Sequence, residues 1–217
     1  MARKITSLGV ALFFVFTLVA IALYPGGSQF HADSIGFSWR DNFWCELMVL
    51  ETGYGKENPG GIFAIVATFF AGLAVSAFFY RLPLVCPTTA LQSGIVRFGT
   101  IICSFSALML FSEYHHEMLL AFCISGFITM LIALIVLIEN REYVAFSGGT
   151  AMFALTQLNL AFYYLSYYKE IQPNLQKITI ILALAWVLLV NLKLKAPTCA
   201  GQSQKHQNQN HSDSKAF

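Results

Sequence analysis

Residues 118–138 read MLLAFCISGFITMLIALIVLI, a run of 21 residues without a charged side chain. The hydrocarbon core of a bilayer is about 30 Å thick and a helix rises about 1.5 Å per residue, so roughly 20 apolar residues cross it. Residues 118–138 meet that length. Five further charge-free runs lie at 5–32, 58–80, 98–112, 143–168 and 178–192. The pattern predicts a multi-pass membrane protein.

The number of spans follows from the lengths of these runs. Four reach the required length outright, whereas 98–112 and 178–192 have 15 residues each. The two short runs can lengthen, because Arg97, Lys177 and Lys193 can lay their aliphatic stems along a helix while their charges reach the headgroups. The composition agrees, since 57% of the residues are hydrophobic and only 11% are charged. We therefore predict an all-α fold, a polytopic membrane bundle of six transmembrane helices.

The predicted boundaries divide the chain into a six-helix transmembrane domain, residues 1–195, and a tail. The helices are expected near 5–24, 61–79, 95–112, 118–138, 144–168 and 175–194, with a long outer loop at 25–60. All six prolines fall between these spans, where a missing backbone donor costs little. The tail, 196–217, is rich in Gln, Asn, Ser and His, so we expect a disordered cytoplasmic segment.

The distribution of Lys and Arg predicts the orientation. With the N-terminus inside, the inner segments hold nine of these residues and the outer segments hold four. The positive-inside rule then predicts that both termini are cytoplasmic. We expect the protein in the plasma (inner) membrane. An alternative interpretation is a secretory signal cleaved near Ala20-Ile21-Ala22, although the apolar stretch is long for a signal. In either case the loop after Tyr24 faces outward.

The first outer loop carries an aromatic and acidic segment, 38–51. Its apolar residues recur at helical spacing: Trp39, Phe43, Leu47 and Leu50. Asn42 and Glu46 lie one helical turn apart. We predict an amphipathic helix that lies at the interface, with tryptophan among the headgroups. The alternative is that Asn42, Cys45 and Glu46 face inward over the mouth of the bundle.

This loop also carries a resemblance. The sequence YPGGS at 24–28, followed by GFSW at 36–39 and NFWCEL at 42–47, resembles a family of uncharacterised bacterial six-span membrane proteins (domain of unknown function 998). More distantly, the chain is similar to the Frag/DRAM/Sfk group. The resemblance implies a six-span architecture and a polar set matching Asn42, Cys45 and Glu46, with a His pair at the start of helix four. Cys45 stands where the family has a hydroxyl residue. The distant group implies lipid-linked roles by analogy.

A second polar segment reads EYHHE at 113–117, in a short gap between two apolar runs. The predicted topology places it on the same side as Asn42, Cys45 and Glu46. The candidate outer site therefore also includes Glu113, His115, His116 and Glu117.

Histidine and carboxylates at a membrane surface can hold zinc and activate water. The candidate ligands are His116, Glu46 and Glu117. The spacing fits no established zinc pattern, and a glutamate near a helix N-terminus is favourable without a metal. We therefore assign no cofactor, with zinc as the alternative, and favour hydrogen bonding between the loop and this hairpin.

Three classes of function remain open. We favour an integral membrane protein of unknown biochemical activity that binds a lipid or a membrane partner through its outer loop, without catalysis. The first alternative is a metal-dependent membrane hydrolase that acts on a lipid headgroup. The second is a small-solute transporter, which is disfavoured because no charged residue lies in the middle of a span. The bilayer is the expected partner, and the net charge of +2 is too small to favour nucleic acid.

Overall fold

Each long apolar stretch of the sequence forms a helix in the computed structural model, which describes residues 1–109, 114–165 and 168–194. The helices are α1 (Ala2–Leu23), α2 (Gly61–Val85), α3 (Ala90–Met109), α4 (His115–Glu139), α5 (Tyr143–Leu165) and α6 (Gln172–Lys193). A short 3-10 helix, Cys45–Met48, lies in the loop between α1 and α2. The predicted all-α architecture is confirmed. The predicted tail, 196–217, lies outside the described residues.

The helices around the first inner loop are longer than predicted. α2 continues six residues past the predicted end and includes Pro83. The prediction that every proline lies between spans is therefore wrong for Pro83, and also for Pro173, which lies in the first turn of α6. α3 begins at Ala90, five residues earlier than expected. Thr89 and Gln92 explain this start, because each side chain accepts a hydrogen bond from the other residue's backbone N–H, at 3.2 and 2.9 Å. This reciprocal pair is a capping box.

Among the described residues, four helical segments are long and apolar enough to cross a membrane. They are Ala2–Leu23, Gly61–Val85, Glu117–Glu139 and Gln172–Lys193. The chain is therefore a helical membrane protein with several spans. α3 and α5 reach 20 and 23 residues but are more polar; α5 contains Thr156, Gln157 and Asn159.

The six helices form a ring in which each packs against its neighbour in the chain, and α6 also contacts α1 and α2. α1 and α2 approach closely because Gly9 lacks a side chain; a Cβ there would lie 2.8 Å from the carbonyl oxygen of Phe70. Arg3 Nη2 donates a hydrogen bond to the carbonyl of Leu192 at 3.0 Å, so the start of α1 and the end of α6 lie together. We name this end of the bundle the terminal end, and the opposite end the capped end.

Candidate functional site at the capped end

Residues 24–60 fold over the ends of α1, α2 and α6, and we name them the cap loop. The amphipathic helix predicted across residues 38–50 is wrong, because only Cys45–Met48 is helical and it is a 3-10 helix. Glu46 explains the difference. Its Oε2 accepts a hydrogen bond from the backbone N–H of Phe43 at 2.7 Å and from Nδ2 of Asn42 at 2.9 Å. Such side-chain bonds offer the backbone an alternative to a regular helix.

Two tight turns flank this segment. In the first, the N–H of Gly27 donates to the carbonyl of Ser34 at 2.9 Å, and Gly27 has a φ of +90°, which favours glycine. In the second, the N–H of Asn58 donates to the carbonyl of Leu50 at 2.8 Å. The hydroxyl of Tyr54 donates to the carbonyl of Ser28 at 2.5 Å and so joins the two turns. Hydrogen bonds between its own residues therefore hold the cap loop in a folded conformation.

Asn42 lies at the centre of the cap loop and is completely buried. Its Nδ2 donates to the carbonyl of Gly27 at 2.7 Å as well as to Glu46, and its Oδ1 accepts from the N–H of Ser38 at 2.8 Å. The hydroxyl of Tyr24 donates to the same carbonyl of Gly27 at 3.0 Å. One buried amide thus connects the first turn, the central segment and the 3-10 helix. Burial without these bonds would be costly.

Lys177 of α6 binds the cap loop. The lysine is buried, with 3% of its surface exposed. Lys177 Nζ donates to the backbone carbonyl of Asn42 at 2.5 Å and lies 5.6 Å from the centre of the Phe37 ring. A buried ammonium is tolerated only with such partners.

Lys177 was expected to reach the headgroups, and the structure places it inside the protein instead. It precedes the apolar run 178–192 and follows Gln176, so its place in the chain gave no signal for a buried role.

Two more side chains at the start of α6 bind the cap loop. Asn174 Nδ2 donates to the carbonyl of Arg40 at 3.2 Å, and Gln176 Oε1 accepts from the N–H of Trp44 at 2.8 Å. With Lys177, three side chains of α6 therefore bind the backbone of alternate cap residues, at positions 40, 42 and 44.

Trp44 inserts its side chain between the helices. It is 5% exposed and stacks on Phe13 of α1, with ring centroids 5.4 Å apart and planes at 11°. The same buried cluster includes Ala67 of α2 and Leu184 of α6. Non-helical backbone in a membrane protein requires partners within the protein, and the bonds from α6 supply them. The cap loop therefore closes the space between α1, α2 and α6.

Tyr24 is a titratable group of the cap loop whose pKa is changed by this packing. Burial, and next the neighbouring Glu46 carboxylate, raise the pKa of Tyr24 to about 12, above its ordinary value of 10.0. The phenol therefore stays protonated through the neutral range. It remains a hydrogen-bond donor to Gly27.

The structure brings together two of the residues that the sequence singled out, Asn42 and Glu46, with Tyr24 and Lys177 as partners that the sequence did not reveal. Cys45 is next to them in the chain but is exposed to solvent. Glu117 is exposed on the first turn of α4. These positions confirm the inward-facing alternative for Asn42, and not for Cys45.

The remaining predicted site residues lie outside what the structure describes. Glu113 falls in the gap at 110–113, and the side chains of His115 and His116 are not described although their backbone begins α4. Among the side chains that are described, no group of three His, Cys, Asp or Glu lies close enough together to hold a metal ion. The shared site of cap loop and hairpin, and its zinc, therefore stay predictions.

Comparison with known proteins adds no relative: the chain matches no family model, no curated protein and no solved structure. The resemblance to the six-span family stays a prediction. The function has to be inferred from the geometry of the cap loop itself.

Proposed function

We propose that this protein is a non-enzymatic integral membrane protein whose cap loop binds lipid at the outer surface of the plasma membrane. In this proposal all six helices cross the bilayer and both termini are cytoplasmic. The observation that carries it is the exposure of Ile35 and Trp39, 96% and 50%, on a loop whose polar core is buried and bonded.

Several large apolar side chains lie on the surface of the cap loop. Val49, Leu50 and Tyr54 are exposed together with Ile35 and Trp39. Burial of such side chains contributes about 25 cal/mol per Å² of apolar surface removed from water, and tryptophan favours the membrane interface. Contact with lipid would bury part of this area.

The exposed residues lie close to where helices begin and end. Ile35 pairs through a β-bridge with Gly26, three residues after the end of α1. Arg40, next to Trp39, is bonded to Asn174 in the first turn of α6. Both therefore lie near the level at which α1 and α6 would leave the bilayer, which favours lipid over a partner farther from the surface.

The Trp39 ring is supported from within the protein. It meets the Phe37 ring edge to face, at 5.6 Å and 86°, and Phe37 meets the buried Tyr24 in the same way, at 5.9 Å and 87°. Because these supports already order the ring, less conformational entropy is lost when it binds. In this proposal the buried polar cluster positions the exposed side chains that bind lipid, and it does not take part in catalysis.

The proposed topology has three supports. α3 packs between α2 and α4, and α5 packs between α4 and α6, so helices with clear spanning character flank both. The two described ends of the chain lie together, as an even number of spans requires. The excess of Lys and Arg in the segments assigned to that end favours the cytoplasm for it.

Fluorescence from Trp39 tests lipid binding. Native protein and a Trp39→Phe variant are reconstituted into nanodiscs of phosphatidylcholine, with and without bromine atoms close to the headgroups. We expect the native-minus-variant emission to be quenched by the brominated lipid. The matched difference for Trp44→Phe should be quenched much less, because Trp44 is buried among helices. Unquenched, water-like emission from Trp39 would reject lipid binding, and cross-linking from position 39 to another protein would assign the surface to a protein partner.

Metal content separates this proposal from the hydrolase hypothesis. Purified protein is compared with a His116→Ala variant by elemental analysis. One zinc per native chain, lost in the variant, would favour the hydrolase and contradict a purely binding role. The transporter hypothesis is separated by a solute-flux assay in which uptake depends on Gln157.

A further inference from the structure

We propose that Arg97 of α3 and Tyr80 of α2 form a binding site for the phosphate group of a phospholipid in the leaflet at the terminal end. The site is at the opposite end of the bundle from the cap loop. It rests on the proposed six-span topology, in which α3 crosses the bilayer, but not on the lipid binding proposed for that loop.

The geometry of Arg97 leaves a charge without an acceptor. The central guanidinium carbon lies 5.3 Å from the centre of the Tyr80 ring. Its Nε atom is buried and has no hydrogen-bond partner in the part of the chain that the structure describes. A guanidinium is always charged in proteins and carries five donors in a planar fork. The Tyr80 ring lies beside the guanidinium, and because Nε is enclosed by the protein, the Nη donors are the ones that a ligand can reach.

Two other arginines near this end are already bonded, and a third, Arg141, is exposed to solvent. Arg81 donates to Oδ1 of Asn191 at 3.0 Å and to the carbonyl of Leu194 at 2.6 Å, and Arg3 donates to the carbonyl of Leu192 at 3.0 Å. Both satisfy carbonyls at the end of α6, where positive charge is favourable. Arg97 bonds to none of these carbonyls.

The acidic side chains described at this end are also occupied. Glu139 accepts a hydrogen bond from Gln92 at 2.8 Å, and Glu142 forms an ion pair with Lys193 at 2.7 Å. Neither is bonded to Arg97. Among the described residues, no carboxylate at this end is therefore bonded to Arg97.

The depth of Arg97 indicates which anion is available. Arg97 follows Ala90, the first residue of α3, by seven positions, which is about 10 Å along the helix. Side chains on a helix tilt towards its N-terminus, here the terminal end, so the guanidinium points from the hydrocarbon layer towards the headgroups. An arginine at this depth is costly in hydrocarbon unless it reaches a polar partner. Lipid phosphates lie at this boundary and suit the guanidinium fork.

Tyr80 faces the same lipid layer, since it is about half exposed. Its ring orients the guanidinium, and this orientation is what distinguishes the site from an arginine that only extends towards water. We therefore expect both the charge and the ring to contribute to binding.

Native mass spectrometry of the purified full-length protein tests the site, with dioleoyl phosphatidylglycerol as probe and dioleoylglycerol as the matched lipid without phosphate. We expect Arg97→Gln to bind the phospholipid roughly tenfold more weakly, as for loss of a charged hydrogen bond, and Tyr80→Leu to bind it several-fold more weakly. Tyr80→Phe keeps the ring and should bind like the native protein. Lys4→Gln removes one exposed positive charge at the same end and should have no effect. Dioleoylglycerol should not distinguish any variant.

Equal phospholipid binding by native protein and Arg97→Gln would overturn the proposal. If Arg97→Gln does not fold, Tyr80→Leu and Arg97→Lys decide, since both should weaken binding of the phospholipid but not of dioleoylglycerol. Inorganic phosphate that binds as tightly as the lipid would assign the site to a free anion and reject the phospholipid.

Discussion

Lys177 Nζ lies 2.5 Å from the backbone carbonyl oxygen of Asn42, a residue 135 positions earlier in the chain. The contact joins α6, the last helix, to the loop that follows the first. Both residues are buried. The cap loop is therefore held by a cation that belongs to a helix apolar enough to span a membrane, and changes in α6 should alter the capped end.

The first prediction concerns this contact. A Lys177→Met variant keeps an unbranched chain of similar length but leaves the Asn42 carbonyl without its donor. We expect the free energy of unfolding to fall by about 1–3 kcal/mol, the cost of an unsatisfied buried group. Denaturant unfolding in detergent measures it. Lys169→Met, at an exposed position on the same side, should change stability by less than about 0.5 kcal/mol. Equal effects would contradict a special role for Lys177.

The second prediction concerns alkaline pH. Because the pKa of Tyr24 is about 12 in the folded protein and 10.0 ordinarily, the unfolded chain loses this proton first. The contribution to stability is fully present below pH 10 and declines as pH rises towards 12, by about 2–3 kcal/mol in total.

Comparison with a Tyr24→Phe variant isolates this effect from the other tyrosines. The difference in the free energy of unfolding between native and variant should fall over that pH range. Ultraviolet absorbance should show one phenol fewer titrating near pH 12. A difference that stays constant with pH would contradict the burial of Tyr24.

The third prediction compares two glycines within helices. A Cβ on Gly9 would lie 2.8 Å from the carbonyl oxygen of Phe70 and 2.9 Å from Cβ of Ala74, whereas a Cβ on Gly72 would meet nothing within 4 Å. We expect Gly9→Ala to destabilise the protein by about 1–3 kcal/mol through overpacking. Gly72→Ala should be neutral or stabilising by up to about 1 kcal/mol, because alanine favours helix. Thermal unfolding in detergent measures both, and the reverse order would contradict the close approach of α1 and α2.

The fourth prediction tests the proposed orientation. Cys45 is exposed on the cap loop, and Cys86, just after α2, is buried. A maleimide reagent that cannot cross membranes should label the protein in intact cells, and a Cys45→Ser variant should lose that labelling. Labelling of Cys45 only after the membrane is opened would place the cap loop in the cytoplasm and invert the topology.

Helix starts show how much local sequence could predict. Thr89 and Gln92 are a capping pair that marks the start of α3, and the predicted start at residue 95 overlooked it in favour of the charge-free run. In the cap loop, by contrast, the sequence pattern predicted more helix than the structure contains. There Trp39, Phe43 and Leu47 do recur at helical spacing, but the Glu46 side chain accepts a bond from the backbone N–H of Phe43 and another from the Asn42 side chain, and no longer helix forms.

The partners of Asn42 could not be predicted in the same way. Its spacing from Glu46 is local, and that pair does meet, at 2.9 Å. Its contact with Lys177 depends on where α6 lies beside α1 and α2, which sequence spacing does not contain. For the same reason Lys177 was expected at the headgroups, since a lysine near the end of an apolar run reaches water unless a neighbouring element covers it.

The amino-acid sequence by itself determined that this is a membrane protein of long apolar helices. The length of a charge-free run is a local property, and the thickness of the bilayer sets the length that a spanning helix needs. Only the tertiary structure decided that the polar loop after α1 becomes a cap with a buried amide, a buried lysine and an exposed tryptophan. Those environments arise where α1, α2 and α6 converge. Whether a polar group is solvated or bonded inside the protein depends on which neighbours surround it, and packing alone sets those neighbours.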